Sequence, residues 1–305
     1  LVAGKLRELG ERGRIVKRES GAYKNQLNEA SRVSALAREL GADFLQEEFY
    51  AVILEQGITT PQEYVRADRR GRQKPLTASQ KMELLPVFTK YRELVNGDGN
   101  IFQEDAYWRL IKLIREGSED MGYSHVIVDE VQDFGRAGLT LIANLAGSSV
   151  RDPQVFMVGD QNQRIFGRKY SFSDCGLNIQ GRARRLKKNY RTSSEIFSRS
   201  LAVLNNVADP GKEEEDDLDG TFSVFSGPEP VVRGFSDSES EMFALGGWLR
   251  EVKGRYPLNE ICVVSRDFLG HQRVQKILGT ERLDWHVIRG QVGDAAGGDG
   301  VRLST

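Results

Sequence analysis

The stretch YSHVIVDEVQDFG, residues 123–135, predicts a strand with a cluster of carboxylates at its end, and the rest of the predicted fold is arranged around it. Its apolar run Val126–Val128 is typical of a short buried strand, and Asp129, Glu130 and Asp133 follow where that strand ends. In an open α/β sheet, ligands bind beyond the carboxyl ends of parallel strands, and carboxylate oxygens in this place suit a Mg²⁺-bound nucleotide. An acidic surface turn is the alternative interpretation, because acidic residues are common in loops.

Two later segments repeat the pattern of a strand followed by polar residues. VFMVGDQNQRIFG, residues 155–167, predicts a strand that ends in Gly-Asp and leads to Gln163. RRLKKNYRTSSEI, residues 184–196, places Arg191 beside a Thr-Ser-Ser sequence that can cap a helix. In this order, DEVQD, VGDQNQRIFG and LKKNYRTS resemble the second, third and fourth conserved motifs of the UvrD/Rep-type superfamily one DNA helicases.

The resemblance implies an ATP-dependent DNA helicase or translocase that moves on single-stranded DNA, with ATP and Mg²⁺ as cofactors. Carried over by position, Asp129 would hold Mg²⁺, and Glu130 would orient or deprotonate the attacking water. Gln163 would sense the γ-phosphate, and Arg191 would contact the same phosphate through its planar, permanently charged guanidinium. These four residues would form the nucleotide site. The expected partner is DNA that is single-stranded or carries a junction between single strand and duplex.

Two features depart from the family pattern. No G-x-x-x-x-G-K-[ST] phosphate-binding loop occurs in the sequence, since Gly4-Lys5 is followed by Leu6 and lacks the upstream glycine. At the other end, GVRLST, residues 300–305, resembles only the opening of the fifth motif, and the sixth motif is absent. The expectation is therefore an internal fragment of a longer protein, which would be inactive as an ATPase by itself.

The predicted fold class is α/β. The resemblance implies a RecA-like P-loop NTPase core with a parallel sheet, an all-helical N-terminal subdomain and the start of a second RecA-like domain. The expected helical insert, with a DNA contact, spans residues 1–100, and part of the first RecA-like domain spans 101–208. Residues 209–220 form an acidic linker or loop, and 221–305 begin the second RecA-like domain.

Helical signals dominate the first hundred residues, which show no strand pattern. Apolar spacing predicts one helix from Lys24 to Leu40 and another from Asp43 to Gln56. Two capping boxes, Thr60–Glu63 and Thr77–Gln80, mark two further helix starts. The helix that begins at the Thr77–Gln80 box should run to about residue 95. From about residue 101 strands and helices alternate, with strands expected at 155–158, 184–188, 231–235, 261–266, 285–290 and 301–305.

Candidate DNA contacts lie in two places. The RADRRGRQK segment (residues 66–74) crowds Arg69, Arg70 and Arg72 around a glycine, and a solvated helix end explains this charge as well as phosphate binding does.

The second place follows the third motif, where the family usually has an aromatic residue on which a base stacks. In this chain the aromatic residue is displaced. The candidates for stacking or phosphate contact are Arg168, Lys169, Tyr170 and Phe172. A plain core position for Phe172 is equally compatible with the sequence.

Composition limits the protein class. The 305 residues are 39% hydrophobic and carry a net charge of −1, so any DNA contact must come from local basic patches. The only cysteines are Cys175 and Cys262, which gives no disulfide framework and favours a reducing, cytoplasmic compartment. No apolar run approaches the roughly 20 residues of a membrane span, so no membrane partner is expected.

Two other function classes remain open on the sequence alone. A helicase-derived scaffold that binds DNA or regulates a partner without ATPase activity would keep the same motifs. A metal-dependent nuclease would explain the acidic cluster, but it would leave Gln163 and Arg191 without a role.

Overall fold

The chain folds as a mixed α/β protein with small parallel sheets, as the sequence predicts. It forms two compact units, one of Leu1–Tyr190 with Leu201–Ser223, the other of Arg191–Ser200 with Val224–Thr305. The computed structural model describes residues 4, 14–16, 23–72, 74–117, 121, 123–145, 154–160, 163, 170–205, 220–288 and 299–304. Within them, no helix is both long and apolar enough to cross a membrane.

The first unit begins with a helical region. Its helices are α1 (Lys24–Ser31), α2 (Ala35–Leu40), α3 (Ala42–Glu48), a π-helix (Phe49–Leu54), α4 (Pro61–Arg66) and α5 (Ala78–Gly97). Both predicted capping boxes are confirmed: the Thr60 hydroxyl accepts from the Glu63 amide at 3.3 Å and the Glu63 carboxylate accepts from the Thr60 amide at 2.9 Å. The second box, at the start of α5, has the same reciprocal bonds.

The two long helices predicted before residue 57 are each interrupted. The first breaks into α1 and α2 because Ser34 caps α2, accepting from the Ala37 amide at 3.0 Å and donating to Glu83 at 2.7 Å. The second continues from α3 as the π-helix, whose six residues are all buried. Side-chain bonds and burial thus override the regular helical spacing of the sequence.

Aromatic side chains form the core of this region. Phe49 packs edge-on against Tyr91 and Phe102, with ring centroids 4.8 and 5.1 Å away, and all three are buried. Each such burial contributes about 1.5–3 kcal/mol, so this cluster stabilises the helical region more than any one hydrogen bond does. Pro86 lies inside α5 without ending it.

One short parallel strand pair was not predicted. β1 (Arg14–Val16) pairs with β2 (Asn100–Phe102), so the expectation of no strand in the first hundred residues is wrong. A strand of three residues is too short to show a period of two, and its partner lies far along the chain.

The α/β part of the first unit follows β2. Its elements are α6 (Gln103–Arg115), β3 (Val126–Val128), α7 (Arg136–Leu145), β4 (Val155–Met157), β5 (Lys188–Asn189) and β6 (Phe222–Ser223). β3 pairs with β4 in parallel, Val128 opposite Met157, and β5 pairs with β6. The strand predicted at 184–188 therefore forms only from Lys188 onward.

The second unit holds a three-stranded parallel sheet in which β7 (Cys262–Val264) and β8 (Trp285–Val287) both pair with the central strand β9 (Val301–Ser304). Its core joins Leu249, Leu278 and Leu303. A strand was predicted at 231–235, but the structure has none there, and Val231 is 78% exposed. The elements are α8 (Ser194–Asn205, shared with the first unit), α9 (Ser238–Val252), β7 (Cys262–Val264), α10 (Phe268–Thr280), β8 (Trp285–Val287) and β9 (Val301–Ser304).

Candidate functional site

The loop after β3 carries the predicted catalytic carboxylates. Glu130 adopts a left-handed backbone conformation with φ 50° and ψ 45°, and its amide donates to Asp129 Oδ1 at 2.9 Å. A non-glycine residue rarely takes this conformation, which costs about 1–2 kcal/mol. The turn sends the chain directly into the 3₁₀ turn Val131–Asp133, and both carboxylates remain exposed at the strand end.

The loop after β4 lies beside the loop after β3. The Val131 amide donates to the Val158 carbonyl at 3.0 Å, and the Val158 amide donates to the Val128 carbonyl at 2.9 Å. Farther along, Gln163 donates its side-chain amide to Asp160 Oδ2 at 2.8 Å. Because the two strands are parallel and in register, their carboxyl ends bring these two loops to one edge of the sheet.

A buried glutamine joins the two loops. The side-chain amide of Gln132 donates to Glu130 Oε2 at 2.6 Å, and its carbonyl accepts from the Asp160 amide at 3.0 Å. Gln132 is only 3% exposed. Sequence reasoning missed this residue, and the available signal was its place between the acidic residues of DEVQD.

The site has the donors that a magnesium ion prefers, which are carboxylate oxygens. Asp129 and Glu130 both expose carboxylates at the strand end. Mg²⁺ is commonly held by one or two carboxylates together with waters and substrate phosphates, so these residues fit that ion. Among the described residues, no group of three or more His, Cys, Asp or Glu side chains could hold a metal ion.

Arg191 belongs to the second unit and is exposed. It directly precedes the predicted helix cap, which is confirmed: Ser193 is buried, its carbonyl accepts from the Phe197 amide at 2.9 Å, and its hydroxyl accepts from the Ile196 amide at 3.4 Å. Its neighbour Ser194 donates its amide to the Phe225 carbonyl at 2.9 Å. The backbone that carries Arg191 is thereby anchored inside its own unit, whereas Asp129, Glu130 and Gln163 lie in the first unit.

The arginines of the RADRRGRQK segment have different partners. Arg69 binds the buried Glu48 carboxylate through two bonds of 2.7 and 2.9 Å, and Arg72 reaches the same carboxylate at 3.0 Å. Their side chains are only 11% and 10% exposed, whereas that of Arg70 is 79% exposed and contacts Asp68. DNA contact by the three stays a prediction, and Arg70 alone presents a largely exposed guanidinium.

The displaced aromatic residues pack against the protein. Tyr170 and Phe172 are half-buried beside the cluster that contains Leu139 and Cys175, and the Tyr170 hydroxyl donates to the Ala51 carbonyl at 3.3 Å. These contacts are those of core residues, and base stacking by either ring stays a prediction. Arg168 and Lys169 lie outside the described residues.

Comparisons with known proteins agree with the motif resemblance. The chain is 27% identical over 169 residues to an ATP-dependent helicase/nuclease subunit from Staphylococcus epidermidis (strain ATCC 12228 / FDA PCI 1200). That match covers 50% of this chain and 13% of the relative. The family model for the UvrD/REP helicase N-terminal domain matches residues 20–174, just over half of the chain. The chain therefore belongs to the UvrD/REP helicase family.

Proposed function

We propose that this chain is part of an ATP-dependent helicase or translocase that moves on single-stranded DNA. Family membership supports a helicase role. The observation that carries the proposal is the meeting of two loops at one sheet edge, one with Asp129 and Glu130, the other with Gln163. A nuclease site would use the acidic residues but would have no need of Gln163 in this place.

Hydrolysis of a nucleotide requires a positioned water and compensation of the charge that develops on the γ-phosphate. In the proposed mechanism Glu130 orients the water and accepts its proton, while Gln163 contacts the γ-phosphate. Arg191 would add a permanent positive charge at the same phosphate. Asp129 would hold Mg²⁺, which would supply positive charge to offset the charge of the phosphates.

The direct test is Glu130→Gln in the longer protein that we propose contains this chain. The amide keeps the shape of the side chain but cannot accept the proton, so nucleotide binding should persist while kcat falls by about 10²–10⁴-fold. The matched control is Glu116→Gln, the same chemical change at an exposed helix end where Glu116 makes a surface ion pair with Lys112. An unchanged kcat for Glu130→Gln would refute the proposal.

A helicase-derived scaffold without ATPase activity is the second candidate. A degenerate G-x-x-x-x-G-K-[ST] loop in the longer protein would favour the scaffold, and an intact loop would favour the motor. Measuring ATP binding and DNA-stimulated hydrolysis by the longer protein separates the two. Turnover supports the motor, whereas DNA binding without turnover supports the scaffold. The chain alone should show negligible DNA-stimulated hydrolysis under either proposal.

A further inference from the structure

Gln132 occupies an unusual position for a loop glutamine, because both ends of its side chain are used inside the protein. The amide nitrogen donates to the Glu130 carboxylate at 2.6 Å and the carbonyl oxygen accepts from the Asp160 amide at 3.0 Å. The residue is 3% exposed, so a lost bond would leave a buried polar group without its partner, which destabilises the folded loop.

The neighbouring backbone is shaped around this side chain. Gly159 lies so close that a Cβ on it would collide with the Gln132 carbonyl oxygen and would lie 2.8 Å from Val131 Cγ1. Glycine therefore permits the close approach that brings the Asp160 amide to Gln132. On the other side, the left-handed backbone of Glu130 turns its carboxylate toward the amide of Gln132.

We propose that Gln132 is a positioning residue that holds the catalytic carboxylate of Glu130 and links it to the loop that carries Gln163. This inference rests on the proposed function. A bond to Oε2 restricts rotation of the Glu130 carboxylate and so directs its other oxygen. The link continues because Asp160, whose amide donates to Gln132, accepts from the Gln163 side chain at 2.8 Å.

The consequence is a continuous series of hydrogen bonds from the residue that orients the water to the residue that contacts the γ-phosphate. Its members are Glu130, Gln132, Asp160 and Gln163. A shift of the Gln163 loop would then change the orientation of Glu130 without any contact between those two side chains. Hydrolysis would be fastest only when both loops hold their joined arrangement.

Two variants of the longer protein test the proposal. Gln132→Leu removes both bonds at similar volume, and kcat should fall by up to about 10²-fold, the effect of a misplacement near 1 Å, while KM for ATP stays nearly constant. Gln132→Glu keeps an acceptor for the Asp160 amide but sets a second carboxylate against Glu130. Because a glutamate at position 132 cannot donate to Glu130 Oε2, kcat should fall as in Gln132→Leu, again with KM for ATP nearly constant.

A merely structural role for Gln132 would lower the yield of folded protein, while the kcat of the folded fraction would stay at the wild-type value. Glu130→Gln in the same protein separates the two proposals. If Glu130→Gln leaves kcat unchanged, the proposed function fails. If Glu130→Gln slows hydrolysis while both Gln132 variants keep the wild-type kcat, the role of Gln132 is refuted.

A second measurement needs no turnover and uses the chain as it stands. Hydrogen exchange at the Asp160 amide should accelerate in Gln132→Leu, which has no acceptor, and should stay protected in Gln132→Glu, which keeps one. Equal protection in wild type and Gln132→Leu would overturn the link between the two loops.

Discussion

Replacing Glu48 with glutamine tests what holds the helical region of the first unit together. The Glu48 carboxylate is fully buried and accepts four bonds: from the Tyr64 hydroxyl at 2.9 Å, from Arg69 at 2.7 and 2.9 Å, and from Arg72 at 3.0 Å. A glutamine can place its one carbonyl oxygen in only one of the two acceptor positions. It also removes the negative charge that compensates two nearly buried guanidinium groups.

The expected loss follows from that geometry. With the carbonyl oxygen at the Oε1 position, the amide nitrogen faces Arg69 Nη2 and Arg72 Nε, so two charge-assisted bonds are lost. At about 1.5–3 kcal/mol each, the free energy of unfolding should fall by about 3–6 kcal/mol, a range that includes the cost of about 3–5 kcal/mol for breaking a buried ion pair from one side. Glu47→Gln is the matched control, because the Glu47 side chain is 63% exposed and should contribute under about 1 kcal/mol.

Urea unfolding followed by Trp108 fluorescence measures this loss. The Trp108 indole donates to the Leu54 carbonyl at 2.9 Å, so it reports on the π-helix, and Trp248→Phe with Trp285→Phe removes the other two tryptophans. A loss below about 1 kcal/mol for Glu48→Gln at pH 7 would refute the assigned role of the carboxylate.

The pH dependence gives a second check. Burial alone would raise the pKa of Glu48, but the hydrogen bonds and charge of Arg69, with bonds from Tyr64 and Arg72, outweigh burial and hold the pKa below its ordinary value of 4.5. The contribution of Glu48 to stability is therefore complete above pH 4.5 and is lost as the pH falls through the lower pKa of the folded state. The difference between wild type and Glu48→Gln should shrink over that acidic range, and a constant difference would contradict the argument.

Two further predictions concern contacts of the same unit. The Glu55 carboxylate accepts a hydrogen bond from the Ala137 amide at 3.2 Å, and a Cβ at Gly135 would displace that carboxylate. Gly135→Ala and Glu55→Ala should therefore each remove this bond and lower the free energy of unfolding by about 1–3 kcal/mol. The double variant should lose no more than either single one, and additive losses in urea unfolding would contradict this coupling. Arg70→Ala should weaken single-stranded DNA binding and reduce the salt slope by about 1, whereas Arg69→Ala should lower stability. Single-stranded DNA is titrated into both variants at equal concentrations of folded protein. An equal loss of affinity in Arg69→Ala and Arg70→Ala would mean that Arg69 also contacts DNA.

The sequence predicted those parts of the fold that are specified by residues close to one another along the chain. The capping boxes at Thr60 and Thr77 bond within four residues, so their pattern is visible along the chain. Val126–Val128 likewise forms the predicted strand, but the prediction that it is buried holds for Val128 alone of the three, since Ile127 is 78% exposed. The break at Ser34 and the strand at Arg14–Val16 depend on partners far away in sequence, which no local pattern contains.

The candidate site divides in the same way. The sequence places Asp129 and Glu130 after one apolar strand and Gln163 after the next, and the parallel pairing does bring these loops to one edge of the sheet, while the roles of the three residues stay predictions. Gln132 could not, since a glutamine in a loop ordinarily faces water. Its role appears only when the Asp160 amide is placed opposite its carbonyl oxygen.

The π-helix allows the continuous helical segment from α3 to Glu55 to contact two different parts of the first unit through Glu48 and Glu55. In a regular α-helix, positions seven apart, such as Glu48 and Glu55, point within about 20° of the same direction. The wider π turn contains one extra residue, so the direction of Glu55 is rotated about the helix axis by about 100° relative to its direction in a regular α-helix. Glu48 can then face Arg69 while Glu55 meets the first turn of α7. Deleting a single residue from Phe49–Leu54 would restore the α-helical phase, and the helix would then lose either the Glu48–Arg69 contact or the contact of Glu55 with α7.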